Sequence, residues 1–173
     1  MGGPMKNLFR ASVFSGIAAT SAAFAQQGNI PELDREEFGD WVVQCFAGST
    51  SIEDCQLYQR VTTGDGEFTA MVVTFSWNAE QGSFETELAL PLGVLLSFPP
   101  LLSIGPEYTA NLAWSRCTSD GCLVEGTPNA NVYELLKSNT QASITVMHPT
   151  DGQVVIPVSL NGFNEALARI APN

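Results

Sequence analysis

Hydrophobic and polar residues alternate with a period of two along most of this chain. In "FGDWVVQCF", Trp41, Val43 and Cys45 fall on one side. Further on, Cys55, Leu57, Gln59 and Val61 alternate with Gln56, Tyr58, Arg60 and Thr62. "FETELAL" repeats the pattern, with Phe84, Thr86 and Leu88 set against Glu85, Glu87 and Ala89. Successive side chains of an extended strand point to opposite faces, so each segment predicts a strand with one buried side. "FTAMVVTFSW" is apolar on both sides and predicts a central strand. "TTGDGEF" and "NAEQGS" supply turns before and after it. Toward the C-terminus, "NLAWSRCT" with "CLVEGT" and "ASITVMH" with "QVVIPVSL" read as two hairpins, the second closed by "PTDG".

Two segments leave this period. "NANVYELLKSN" places Val132, Leu135 and Leu136 on one helical face, with Thr127 as the cap and Pro128 at the first helical position. "NGFNEALARI" spaces Phe163, Leu167 and Ile170 as a helix does, with Asn161 placed to cap it. The expected fold is mainly β, an antiparallel β-sandwich with one or two short helices. Many short strands separated by turn signals favour a sandwich over a barrel.

One stretch carries neither pattern cleanly. From Leu88 to Gly105 eighteen residues pass without a charge. Pro91, Pro99 and Pro100 interrupt the run, and each removes a backbone donor. A hydrocarbon core leaves such broken ladders unsatisfied, which argues against a membrane span. The stretch predicts two short strands, Gly93–Ser97 and Leu101–Ile104, around a Phe-Pro-Pro corner. Their inward residues would fill the core. The corner itself, Phe98, Pro99, Pro100 and Leu101, is the candidate contact surface for a protein partner.

The beginning of the chain changes the picture of where this happens. Lys6 and Arg10 precede and flank a run of apolar and small residues, which ends in Ala23-Phe24-Ala25. A basic start, a short apolar run and an A-x-A site predict a secretory signal peptide over residues 1–25. The run falls short of the about 20 apolar residues a span requires. Residues 26–37, "QQGNIPELDREE", read as a flexible polar leader, and residues 38–173 as a single domain. Such a chain is expected in the periplasm, secreted or at the cell surface, with no transmembrane segment in its mature part. Loss of Lys6 and Arg10 takes the formal net charge from −11 to −13. Phosphate binding requires clustered Lys and Arg, so the charge disfavours nucleic acid and anionic lipid. It reads as a solvated, mutually repulsive surface or, alternatively, one that suits a basic protein partner.

An oxidising compartment favours disulfides, and four cysteines allow three pairings. "CTSDGC" sets a four-residue turn between strands, which brings its cysteines opposite one another. The local pairing, Cys45 with Cys55 and Cys117 with Cys122, is therefore expected. No C-x-x-C spacing suggests zinc or a redox pair.

Candidate chemistry is sparse. His148 is the one histidine and ends a strand before a turn, with Asp151 close by. No G-x-S-x-G elbow accompanies it, and one imidazole is too few for metal hydrolysis. Glu85 and Glu87 share a strand face, but no aromatic platform marks a sugar site beside them. "GDGE" lacks the rest of a calcium-loop ligand series. No catalytic residue, metal or cofactor is expected. The chain reads as a non-enzymatic binding protein working through protein contacts. The alternatives are an accessory subunit on the periplasmic face of a membrane complex and, further off, a hydrolase built on His148 and Asp151.

Several short motifs occur in a fixed order: "FGDWVVQC", a cysteine ten residues on, "PLGVLL", "RC" and "GC" as a hairpin, and "IPVSLNGFNEAL". The set resembles the invasion-associated locus B family of exported proteins, found widely in alphaproteobacteria, across about Phe38 to Leu167. The resemblance implies an immunoglobulin-like β-sandwich and a periplasmic, surface or secreted location. In pathogenic members the family is associated with invasion of host cells. It offers no catalytic residue to carry over. What transfers is structural: Trp41, Cys45, Cys55, Cys117, Cys122 and Gly162-Phe163. One departure stands out. The family follows "PLGVLL" with a polar or glycine-rich turn, whereas "SFPPLLSIG" is apolar and carries two prolines. That departure marks the corner as a contact surface of this lineage.

Overall fold

The computed structural model describes residues 32–64 and 66–172. The expected signal peptide and the first part of the leader, residues 26–31, lie outside them. The described chain forms eleven strands and two short α-helices, arranged as two antiparallel sheets around one core. This is the mainly-β sandwich that the alternation predicts.

The first sheet is built from β1 (Leu33–Phe38), β2 (Trp41–Phe46), β3 (Cys55–Thr63), β4 (Phe68–Asn78), β5 (Ser83–Leu90), β8 (Arg116–Cys117) and β9 (Cys122–Gly126). Its order is β1-β2-β3-β4-β5-β9-β8. The second holds β6 (Leu101–Ile104), β7 (Tyr108–Asn111), β10 (Gln141–His148) and β11 (Gly152–Ser159), in the order β11-β10-β6-β7. Helix α1 (Ala130–Ser138) follows β9, and α2 (Phe163–Arg169) follows β11. Strand β4 is central in its sheet, as expected, but buried on one face only. Met71, Val73 and Phe75 enter the core, while Val72, Thr74 and Ser76 stay half-buried outside. The core gathers Trp41, Val43, Leu57, Leu88 and Val124 from one sheet and Ile104, Ile144, Val146, Ile156 and Val158 from the other. Each fully buried large apolar side chain of this kind contributes about 1.5–3 kcal/mol.

The structure departs from the sequence expectations at four places. Residues 33–37 of the expected flexible leader belong to strand β1, which pairs with β2 from Leu33 opposite Phe46 to Phe38 opposite Trp41. This strand is exposed along its middle, so no alternation marks it, and its acidic side chains guard an open sheet edge. The expected strand Gly93–Ser97 is a loop. "NLAWSRCT" is divided between sheets: Asn111 ends β7, the chain crosses over, and Arg116–Cys117 joins β9. The helix caps also differ. Asn129, not Thr127, caps α1, its side chain accepting the Val132 N–H at 3.1 Å. Gly162, not Asn161, precedes α2, with φ of 81° and no side-chain cap.

Candidate functional site

The two outer faces of the sandwich differ in charge. On the seven-stranded sheet, Tyr58, Thr74, Glu87 and Glu125 lie in one cross-strand row, and Gln56, Ser76 and Glu85 in the next. Glu87 and Glu125 face each other directly, a repulsive pairing. Arg116 relieves it, with Nη2 3.7 Å from Glu87 and Nη1 bonded to Glu125. Lys137 and Arg169 are likewise engaged, with Glu134 and Glu36 at 3.0 Å each. Three of the five cations in the described residues are therefore paired with neighbouring carboxylates. That arrangement leaves no basic stripe for a polyanion.

The outer face of the four-stranded sheet carries no charge. One row reads Val155, Thr145, Leu101 and Asn111, and the next reads Pro157, Ser143, Ser103 and Thr109. The crossover from β5 to β6, residues 91–100, begins the same uncharged region. Its Leu92, Leu96 and Phe98 are 53%, 51% and 48% exposed. Water contact on side chains of this size is unfavourable, and three in one loop form a patch of the kind that meets partners.

The loop is anchored along its length. Leu95 N–H donates to the Met147 carbonyl at 2.8 Å, taking up the edge of β10 beyond the last residue that β6 pairs. Phe98 N–H donates to the Leu95 carbonyl at 3.1 Å, and Trp114 Nε1 donates to the Phe98 carbonyl at 3.1 Å. Leu112 N–H donates to the Pro100 carbonyl at 2.8 Å. The backbone of the patch is thus held in place by hydrogen bonds.

The four corner residues have different placements. Phe98 and Pro99 are exposed, Leu101 is half-buried at the start of β6, and Pro100 is fully buried. Leu96 joins Phe98 in the patch although it lies in the expected core strand Gly93–Ser97, and Leu92, just before that strand, joins it too. The signal available for Leu92 was Pro91 and Gly93, which bracket it and break strand pairing.

The motif residues of the chain are structural. Trp41, Phe75 and Phe163 form a ring cluster with centroids 5.1–5.8 Å apart. Disulfides join Cys45 to Cys55 across β2 and β3, and Cys117 to Cys122 across β8 and β9. The two ends of the domain meet: Asp40 N–H donates to the Asn161 carbonyl at 3.1 Å, and a Cβ at Gly162 would lie 2.0 Å from the Phe38 carbonyl oxygen. Glycine is required there by contact as well as by φ.

His148 closes the β10–β11 hairpin. Its Nδ1 lies 3.1 Å from Thr150 Oγ1 and from an Asp151 carboxylate oxygen, and 3.3 Å from Asp151 N. The pair sits on an exposed turn. These contacts account for the histidine as a turn brace. Among the described residues no group of three or more His, Cys, Asp or Glu is placed to hold a metal ion. Among the same residues no helix is long and apolar enough to cross a membrane.

Residues 41–171 match the family described as "Invasion associated locus B (IalB) protein". Two invasion protein B homologs of Brucella abortus, from strain 2308 and from biovar 1 strain 9-941, are each 29% identical over 163 residues, covering 92% of this chain and 92% of their own length. Among solved structures, invasion associated protein b of Bartonella henselae aligns with a TM-score of 0.67 and 22% identity, over 79% of this chain and 95% of that one. That likeness shows a shared fold.

Proposed function

The chain belongs to the invasion associated locus B family, and from that premise we propose that it is an exported, non-enzymatic binding protein that meets a protein partner through the loop 91–100. The observation that carries the proposal is the trio Leu92, Leu96 and Phe98, half-exposed on a loop fastened to neighbouring segments by three hydrogen bonds and braced by one within itself. A loop ordered in advance loses less entropy on docking than a mobile one. The uncharged outer face of the four-stranded sheet extends the footprint, and the acidic remainder of the surface favours a partner with a basic rim. The two disulfides support export, because such bonds persist in oxidising compartments.

The test uses a variant with Leu92→Ser, Leu96→Ser and Phe98→Ser together. Its thermal stability is expected to match the parent, since these side chains bury little in the core. In native cells, cross-linking followed by sedimentation of a mild-detergent extract is expected to place the parent in a larger assembly and the variant alone. Equal sedimentation of the two, with folding intact, overturns the loop as the docking surface. Fractionation of the same cells separates a free periplasmic partner from a membrane-complex subunit.

A further inference from the structure

The sandwich is closed along one edge and open along the other. Inward residues of β10 and β11, among them Ile144, Val146, Ile156 and Val158, are buried. Those of β7, Tyr108 and Ala110, keep solvent contact although they lie on the same sheet face, opposite Ile104 and Leu102. The cause is topological. Strand β7 is outermost in its sheet, and β8 pairs only with Cys122 and Leu123 of β9. A cavity of about 240 Å³ runs from Trp41 and Phe75 in the core to this gap. Its mouth lies between Ala110 on one lip and Gly126 and Thr127 on the other, because these lining residues keep solvent contact while the deep ones are buried. Ala110 and Gly126 are small, and an added Cβ at Gly126 would meet nothing within 4 Å.

The backbone beside this mouth is also free. Leu112 N–H donates to the Pro100 carbonyl at 2.8 Å, in register with the β6–β7 pairs. Bonded pairs alternate along an antiparallel ladder, so Tyr108 and Ala110 bond β6 as well. Thr109 and Asn111 then aim their N–H and C=O groups away from β6, off the sheet. The next ladder agrees: Gly105 N–H donates to the Gln141 carbonyl, so β6 turns Ser103 and Leu101 to β10 and its other residues to β7. Among the described residues no strand pairs with the outer edge of β7. Donors and acceptors at strand spacing are matched by another backbone.

We propose that the free edge of β7 and the cavity together bind an extended peptide of a partner protein, added antiparallel to β7 with alternate apolar side chains seated in the cavity. Residues of such a strand that pair with Thr109 and Asn111 face solvent, and those opposite Tyr108 and Ala110 point into the mouth. An apolar cavity of about 150 Å³ takes up benzene, so this one has room for roughly one aromatic or two aliphatic side chains. The loop 91–100 supplies none of the lining, so this site stands or falls apart from the docking surface.

The probe is a capped synthetic peptide of alternating threonine and leucine with lysine at each end, titrated into the disulfide-intact protein and followed by amide NMR. Saturable shifts at Thr109, Ala110, Asn111 and Gly126 are expected. The Thr109 and Asn111 amides are expected to exchange with solvent at least about tenfold more slowly in the complex. N-methylation of the peptide's threonine amides, which would face β7, is expected to abolish binding, and methylation of its leucine amides to be tolerated. Serine in place of the leucines is expected to weaken binding at least about tenfold. Thr109→Pro is expected to fold, since edge strands accept proline where the N–H faces solvent, and to lose the peptide. Should that variant misfold, the methylated peptides decide the point without it. Equal effects of the two methylations, or no slowing of exchange at Thr109 and Asn111, overturn strand addition. Serine peptides that bind as well as leucine ones overturn the role of the cavity. If ethylbenzene gives saturable shifts at Ala110 and Val124 while the peptide gives none, the occupant is a small apolar molecule and the proposal falls. It falls equally if Thr109 and Asn111 are protected in the protein alone and lose that protection on dilution, which would mark a second copy as the occupant.

Discussion

The two sides of the sandwich treat buried polar groups in opposite ways. On one side Gln59, 5% exposed, bridges the sheets. Its Nε2 donates to the Ser159 carbonyl at 2.9 Å, and its Oε1 accepts the Ser159 N–H at 3.1 Å. Trp41 Nε1 donates to the same carbonyl at 2.9 Å. On the other side Thr86 Oγ1 is buried without a partner, in a residue that lines an unfilled apolar space between the sheets. A satisfied polar group locks two surfaces in register, while an unsatisfied one weighs against the fold. The stitched side is therefore where stability is concentrated. The open side is where the fold tolerates incompleteness.

The sharpest test is Trp41→Ala, which removes a ring that bonds the Ser159 carbonyl on the stitched side and also lines the unfilled space. It is expected to cost about 3–5 kcal/mol in urea unfolding. A much smaller loss would show that the stitched side is not the stability centre. Next comes Gln59→Leu, which leaves the Ser159 N–H buried without its acceptor. A loss of about 1–3 kcal/mol is expected.

The third test concerns α1, which covers the open side. Tyr133 on this helix donates its hydroxyl to the Phe84 carbonyl at 3.1 Å and packs on the Phe84 ring. Burial pushes its phenol from 10.0 up to about 12. The unfolded chain therefore loses this proton first as pH rises. The contribution is complete below about pH 10, and it declines until the folded phenol ionises near pH 12. Tyr133→Phe is expected to flatten that part of the alkaline stability curve, measured as the difference between variant and parent. A parallel decline in both would show that the phenol is not shielded.

The smallest change is expected from Thr86→Val. Stability should stay level or rise by up to about 1 kcal/mol, because shape is kept and an unpaired hydroxyl is lost. If Thr86→Val destabilises as much as Gln59→Leu, the two sides do not differ and the contrast fails.

Much of the fold was legible because burial on one face writes itself as alternation. Strands β3, β5, β10 and β11 each follow a period of two, and Phe163, Leu167 and Ile170 mark α2 by their spacing. What escaped lacked that signature. Strand β1 is held by backbone pairing to β2 and buries almost nothing along its middle, so its residues look like a polar leader. The segment 93–97 is rich in apolar residues, yet of its large side chains only Val94 packs against the core. Of the loop 91–100, Phe98 and Pro99 were foreseen as exposed, while Leu92 and Leu96 were not. Exposure of a leucine depends on whether anything is packed over it, and no local pattern carries that.

The sequence by itself determined the class of architecture, the two helices, the run of uncharged residues and the family resemblance. These follow from side-chain periodicity, charge and motif order, which act over a few residues at a time. Tertiary structure alone decided that Gln59 meets Ser159 a hundred residues away, that the chain changes sheets between Asn111 and Arg116, and that Thr86 is left beside an unfilled space. Each depends on which strands become neighbours across the sandwich. That choice is settled by packing the whole apolar surface at once, and no single segment encodes it.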